Sequence, residues 1–153
     1  MGRSSATASD DLHAAVVARL RVIGSTYPAK RRLLVDLLAT APQPLAMAQI
    51  LERDRSLAQS SVYRNLAVLE QAGVVHRIVT GDDSARYELA EELSGHHHHH
   101  LICTSCGSVA DVTLPDSVEA TVDHELSKLA RRHGFTATAH HLDLVGGCAD
   151  CSA

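Results

Sequence analysis

The chain has no tryptophan, one phenylalanine and three tyrosines, so its core has to be aliphatic, built from leucine, valine and alanine. It lacks the run of about 18 apolar residues that a membrane-crossing helix needs. It also lacks the charged-then-apolar pattern of a secretory leader. Together these absences point to a soluble, cytoplasmic protein with no membrane partner. Positive charge is not in excess either: 14 Lys and Arg face 18 Asp and Glu, a formal net charge of −4. That excludes a generic nucleic-acid coat. Residues 1–95 are balanced in charge, however, and the acidic excess falls wholly beyond Gly95, so a confined DNA-binding patch in the first half is permitted. No H-E-x-x-H motif is present, which removes the usual basis for a zinc hydrolase.

Cysteine is scarce, and its placement is informative. The four cysteines form two C-x-x-C pairs, Cys103-Thr-Ser-Cys106 and Cys148-Ala-Asp-Cys151. In a cytoplasmic chain such pairs are metal ligands rather than a disulfide framework. Two of them supply a complete four-sulfur tetrahedral zinc site, closed and therefore non-catalytic. Histidine, by contrast, is abundant: five of the eleven are consecutive, His96–His100. A purification tag is usually terminal, whereas this run continues through Leu101-Ile102 directly into the first cysteine pair. If His96–Ile102 is extended, alternate side chains point to opposite faces. His97 and His99 then share one face and His98 and His100 the other, which suggests two metal sites besides the four-cysteine site.

Taken in order, residues 1–10 are rich in Ser, Ala and Thr and read as disordered. Asp10 or Asp11 caps a helix running to about Ile23, with Leu12, Val16, Leu20 and Ile23 at helical spacing and Gly24 at its end. A second helix starts at Pro28, with Lys30, Arg31 and Arg32 as a basic run and Leu33, Leu34, Leu37 and Leu38 as its apolar stripe. After the Ala41-Pro-Gln-Pro44 breaker comes a short helix over about Leu45–Arg53. A fourth helix, within Ser56–Gly73, has Val62, Leu66 and Leu69 on one face. Two β-prone runs, Val74–Thr80 and Ala85–Leu89, joined by Gly81-Asp-Asp-Ser84, make a hairpin. Helices followed by such a hairpin form a winged helix-turn-helix. Its last helix enters the major groove by its first turns, here with Ser60, Ser61, Tyr63 and Arg64, while Lys30 is a further candidate for DNA contact.

The winged domain is thus expected over residues 11–90 and a hinge over 91–95. A small α/β domain follows over 96–153, with a strand at Val109–Leu114, a helix from Pro115-Asp116 to Gly134 and a strand over Phe135–Val145. The fold class is α+β. A unit as short as the second half is marginal alone, so a structural metal and dimerisation are its expected supports.

These motifs resemble those of the ferric uptake regulator family. Ser61-Val-Tyr-Arg-Asn-Leu66 with Gly73-Val-Val75 is similar to its recognition helix and following strand. His96–His100 with Leu-Ile-Cys-x-x-Cys-Gly107 is similar to its central metal motif, and His133-Gly-Phe135, His140 and Gly147-Cys-x-x-Cys151 to its C-terminal end. The resemblance covers roughly Tyr27 to Cys151. It implies a homodimeric, metal-activated transcriptional repressor acting on double-stranded operator DNA.

By the same resemblance, Cys103, Cys106, Cys148 and Cys151 hold structural Zn2+. His98, His100, Glu88 and Asp111 form a regulatory site for a second divalent metal, Fe2+, Zn2+ or Mn2+. His97, His99 and His140 form a further site with an acid that is either Glu119 or Asp123. The two acids lie four residues apart on one helical face.

This chain departs from the family pattern at several positions. Pro44 stands where many iron-type members have a histidine, and Ala90 where zinc-type members often have a cysteine. His76, on the first wing strand, lies where some zinc-type members place a ligand and is a substitute ligand. His124 and His141 match no family role and read as surface histidines. The expected function is control of iron or zinc uptake genes. Manganese, nickel or peroxide sensing within the same family is the alternative, and a metal-storage or chaperone protein a more remote one.

Overall fold

The computed structural model describes residues 3–80 and 84–151. The turn expected at Gly81, Asp82 and Asp83 lies outside the described residues. The chain divides into two units, residues 1–96 and 97–153.

The first unit runs α1 (Arg3–Val22), α2 (Ala29–Ala39), β1 (Leu45–Ala46), α3 (Met47–Arg53), α4 (Gln59–Gln71), β2 (Val75–Val79), β3 (Ala85–Leu89) and α5 (Glu91–Ser94). The expected stripes supply most of the core, although Leu12, Ile23, Leu33 and Leu37 are only partly buried and Val35, outside the expected stripe, is fully buried. Val16 and Leu20 of α1, Leu34, Val35 and Leu38 of α2 and Val62, Leu66 and Leu69 of α4 meet in one aliphatic core, closed by Val74, Val75, Tyr87 and Leu89. Gly73 ends α4 in the left-handed conformation (φ 67°), and the Val74 N–H returns to the Leu69 carbonyl at 2.8 Å. That closing motif suits glycine because no Cβ opposes it. The wing is a three-stranded antiparallel sheet in the order β1-β3-β2.

Three expectations need correction in this unit. α1 begins at Arg3, so residues 3–10, expected to be disordered, continue the helix; once a helix is nucleated, each added residue is cheap. The strand β1, only two residues long, takes Leu45 and Ala46 from the expected third helix by pairing them with Tyr87 and Arg86. Residues 91–94 of the expected hinge form a helical turn whose Leu93 packs against the first unit's core. The division between units falls after His96.

The second unit runs β4 (His99–Cys103), β5 (Val109–Val112), α6 (Asp116–Arg132) and β6 (Asp143–Gly146), with the sheet ordered β5-β4-β6. The strand expected over Phe135–Val145 is present only from Asp143, because only residues 143–146 find a partner, pairing in parallel with β4. The helix after Pro115 matches expectation. It carries no buried residue, and Val118, Leu126 and Leu129 on it are exposed, as are Phe135, Leu144 and Val145. Among the described residues, no helix is long and apolar enough to cross a membrane.

Candidate metal centres and nucleic-acid interface

The parallel pairing of β4 with β6 places Cys103 opposite Gly146, so the two C-x-x-C turns meet at the same end of the sheet. All four sulfurs lie within 4.8 Å of one another, and the Cys106 and Cys148 sulfurs are 3.8 Å apart. A tetrahedral zinc with Zn–S bonds of about 2.3 Å has an S–S edge of about 3.8 Å, so the spacing fits zinc and not a disulfide. The electrostatics agree. Backbone N–H groups of Cys106, Cys148 and Ser105 lower the Cys103 thiol to about 6, and the Ser108 hydroxyl and N–H lower Cys106. Cys151 is instead pushed up to about 12 by the neighbouring Cys148 and Cys106 sulfurs. The repulsion that holds the Cys151 proton on is what a cation among the four sulfurs would relieve, allowing all four to ligate as thiolates.

On one face of β4 and its approach, His97, His99 and His140 gather around Glu119 of α6, with one ligand atom from each within 4.8 Å of the others. His99 Nε2 is 2.7 Å from Glu119 Oε1, and Glu119 Oε2 lies 3.5 Å from His97 Nε2 and 3.7 Å from His140 Nε2. Burial pushes the Glu119 carboxyl up, but the His99 hydrogen bond and the three imidazoles outweigh it and hold it below the usual carboxylate range. Glu119 Oε2 and His140 Nε2 are buried without a hydrogen-bond partner. Such atoms are costly unless something binds them, and a divalent cation among these nitrogens and oxygens would do so. Asp123, the other candidate acid, stands on the far side of His140, its Oδ1 3.1 Å from Nδ1.

The opposite face holds His98 and His100, with ring centroids 5.1 Å apart. One ligand atom from each lies within 4.8 Å of an Asp111 carboxylate oxygen. His100 Nε2 is 4.0 Å from Asp111 Oδ1, while its Nδ1 is 3.1 Å from Asp143 Oδ1. Two imidazoles and a carboxylate suit a divalent transition metal. Asp143 was missed in the sequence. Glu88 and His76 lie opposite each other on β3 and β2, with His76 Nδ1 3.2 Å from Glu88 Oε1. Pro44 is fully buried and has no side-chain ligand atom. His124 and His141 are exposed, as expected of surface histidines.

In the first unit α4 presents Ser60, Tyr63 and Arg64 to solvent, with Tyr63 50 % exposed and Ser61 partly covered. Lys30 is exposed at the start of α2. Its neighbour Arg31 instead braces the helices, donating from Nε to Asn65 Oδ1 at 3.0 Å and from a terminal nitrogen to Ser25 Oγ at 2.7 Å. Sequence reasoning also missed a network around the buried His13, whose Nδ1 meets the Tyr27 hydroxyl at 2.7 Å and whose Nε2 meets the half-exposed Asp36 at 2.9 Å. A lone histidine on an apolar stripe gave no signal of this.

A winged-helix unit joined to a cysteine- and histidine-rich unit defines a class of DNA-binding, metal-responsive regulators. The ferric uptake regulator family model matches residues 24–145, and the chain belongs to that family. It is 32 % identical over 139 residues to a ferric uptake regulation protein of Campylobacter jejuni, covering 87 % of this chain and 83 % of that one. It is 31 % identical over 129 residues to a peroxide-responsive repressor of Staphylococcus saprophyticus, covering 81 % and 80 %. The fold is similar to the solved Helicobacter pylori ferric uptake regulator, with a TM-score of 0.70 at 21 % identity, over 95 % of this chain and 94 % of that one. The protein is accordingly a metal-responsive transcriptional repressor of this family.

Proposed function

We propose that the protein works as a cytoplasmic homodimer that represses metal-uptake genes, iron or zinc being the leading candidates, when a divalent metal occupies the regulatory site. The observation that carries this reading is the division of one histidine run, β4 and the residues leading into it, into two separate clusters, beside a separate four-sulfur centre. Zinc held by the four cysteines supports the fold of the second unit. The regulatory ion is held by His98, His100 and Asp111, with Glu88 of the wing as the ligand implied by the family motif and His76 able to substitute. His97, His99, His140 and Glu119 hold a further ion, with Asp123 outside it.

Dimerisation is supported by the exposed apolar side chains of α6 and β6, since Leu129 and Leu144 are 45 % and 66 % exposed. Large apolar side chains left in water on two elements of so small a unit are what a dimer partner would cover. Tyr63 and Arg64, with Ser60, Ser61 and Lys30, provide the operator contacts. Coupling between such sites is ~1–3 kcal/mol, so the metal tightens operator binding about 5–150-fold. The ligands are mixed nitrogen and oxygen, which suits Fe2+, Mn2+ and Zn2+ alike.

The test is a footprint on the gene's own promoter with zinc-loaded protein, titrated separately with Fe2+ under anaerobic conditions, Mn2+ and Zn2+. Protection that depends on one of these metals supports the reading. Absence of specific protection with every metal favours a storage or chaperone protein.

A further inference from the structure

We propose that Asp143 is a positioning residue that fixes which nitrogen of His100 faces the regulatory metal. The inference rests on reading His98, His100 and Asp111 as that site. His100 and Asp143 are directly paired across the parallel β4–β6 ladder, so their side chains leave the sheet on the same face. The Asp143 carboxylate Oδ1 lies 3.1 Å from His100 Nδ1. An ionised carboxylate only accepts hydrogen bonds, so Nδ1–H must donate. A neutral imidazole has one N–H, and the lone pair is therefore left on Nε2, the nitrogen that faces Asp111 Oδ1 at 4.0 Å.

The same device recurs on the other face of the histidine run. Asp123 Oδ1 lies 3.1 Å from His140 Nδ1, and His140 Nε2 faces Glu119 Oε2 at 3.7 Å. Each cluster thus has one histidine whose outward nitrogen is held by an aspartate and whose inward nitrogen faces the ligand set. A carboxylate on the outer nitrogen orients the ring and raises its basicity as a ligand. In both cases the aspartate contacts the nitrogen pointing away from the cluster, which separates its role from that of a direct ligand. Asp143 is 42 % exposed, so replacing it leaves the packing of the sheet intact.

The experiment uses full-length protein with its four-cysteine zinc in place, 15N-labelled at histidine, in a His97→Ala, His99→Ala background so that one histidine site remains. Long-range 1H–15N spectra without further metal should show His100 protonated at Nδ1. Asp143→Ala should shift it toward the Nε2–H form, and Asp143→Asn, which keeps an acceptor oxygen, should restore Nδ1–H. Removing such outer partners typically weakens metal binding about 10–100-fold, so Mn2+ titration of Asp143→Ala should show a loss in that range, with a smaller loss in Asp143→Asn. Adding Asp143→Ala to His100→Ala should cost nothing more.

An Nε2–H parent, or an equal loss of affinity with and without His100, would overturn the proposal; the second outcome would make Asp143 a ligand in its own right. If His100→Ala itself leaves Mn2+ binding unchanged, the regulatory-site reading fails. The spectra of the metal-free protein then still decide the role of Asp143.

Discussion

Glu119 and Asp123 lie one helical turn apart, and the structure assigns them opposite sides of His140, so exchanging each for alanine should give different results. Glu119 reaches His99 at 2.7 Å, and the His99 side chain is 1 % exposed. In metal-free protein Glu119→Ala leaves that buried imidazole unsatisfied, at a cost of about 1–3 kcal/mol. Asp123 is 65 % exposed, and its loss should change metal-free stability by no more than about 0.5 kcal/mol.

Metal sharpens the contrast. An ion present at about 100 times its dissociation constant stabilises the folded protein by about 2.7 kcal/mol. Glu119→Ala should lose nearly all of that increment. Asp123→Ala, with affinity reduced about 10–100-fold, should keep about 0.4–1.4 kcal/mol at the same metal concentration. Urea unfolding with and without Mn2+, at fixed protein concentration and in a His98→Ala, His100→Ala background, reads both quantities. Retention of the full increment in Glu119→Ala, with its loss in Asp123→Ala, would make Asp123 the ligand and refute the geometric reading.

Three other outcomes are expected. Cys148→Ser should lose about one zinc per subunit and weaken dimerisation, because losing a structural zinc removes folding free energy; metal analysis with sedimentation checks this, and a stable dimer of unchanged zinc content would contradict it. Arg64→Ala should weaken operator binding by about 1–3 kcal/mol if its contact is to a base, with metal content unchanged, as read by fluorescence anisotropy. Burial, and then the nearby Asp36 carboxylate, raise the Tyr27 phenol from 10.0 to about 12. Its folded pKa is raised, so its stabilising contribution is complete below pH 10 and is lost as pH climbs through about 12. Tyr27→Phe should therefore lose about 0.5–1.5 kcal/mol near neutrality with the His13 hydrogen bond, and show a flatter alkaline fall in urea midpoint than the parent.

Much of this architecture was legible in the sequence because it rests on period and spacing. The stripe of Val62, Leu66 and Leu69 predicts the buried face of α4, and all three are buried. Strand alternation separates His97 and His99 from His98 and His100, and the rings pair in that way, with centroids 4.7 Å and 5.1 Å apart. What was not legible depends on register and on distant packing. Asp143 meets His100 only because β6 pairs with β4 in one particular register across more than forty residues, and no local pattern encodes that. Helical geometry puts Glu119 and Asp123 on the same face, and only the packing of His99 and His140 against α6 separates them. The alternation over Phe135–Val145 suggests a long strand, yet a strand forms only where a neighbour accepts its hydrogen bonds, and that begins at Asp143. The N-terminal segment reads as disordered by composition, whereas α1 extends through it from Arg3.

The most direct measurement is an operator titration against metal for two double variants, His98→Ala with His100→Ala and His97→Ala with His99→Ala, beside the parent. If the ion held by His98 and His100 is the regulatory one, the first variant binds operator equally weakly with and without metal. The second keeps most of the metal-dependent gain and differs mainly in metal stoichiometry or dimer stability. Equal loss of the gain in both variants would mean that the five histidines act as one site, and would contradict the division of the run into a regulatory face and a separate one.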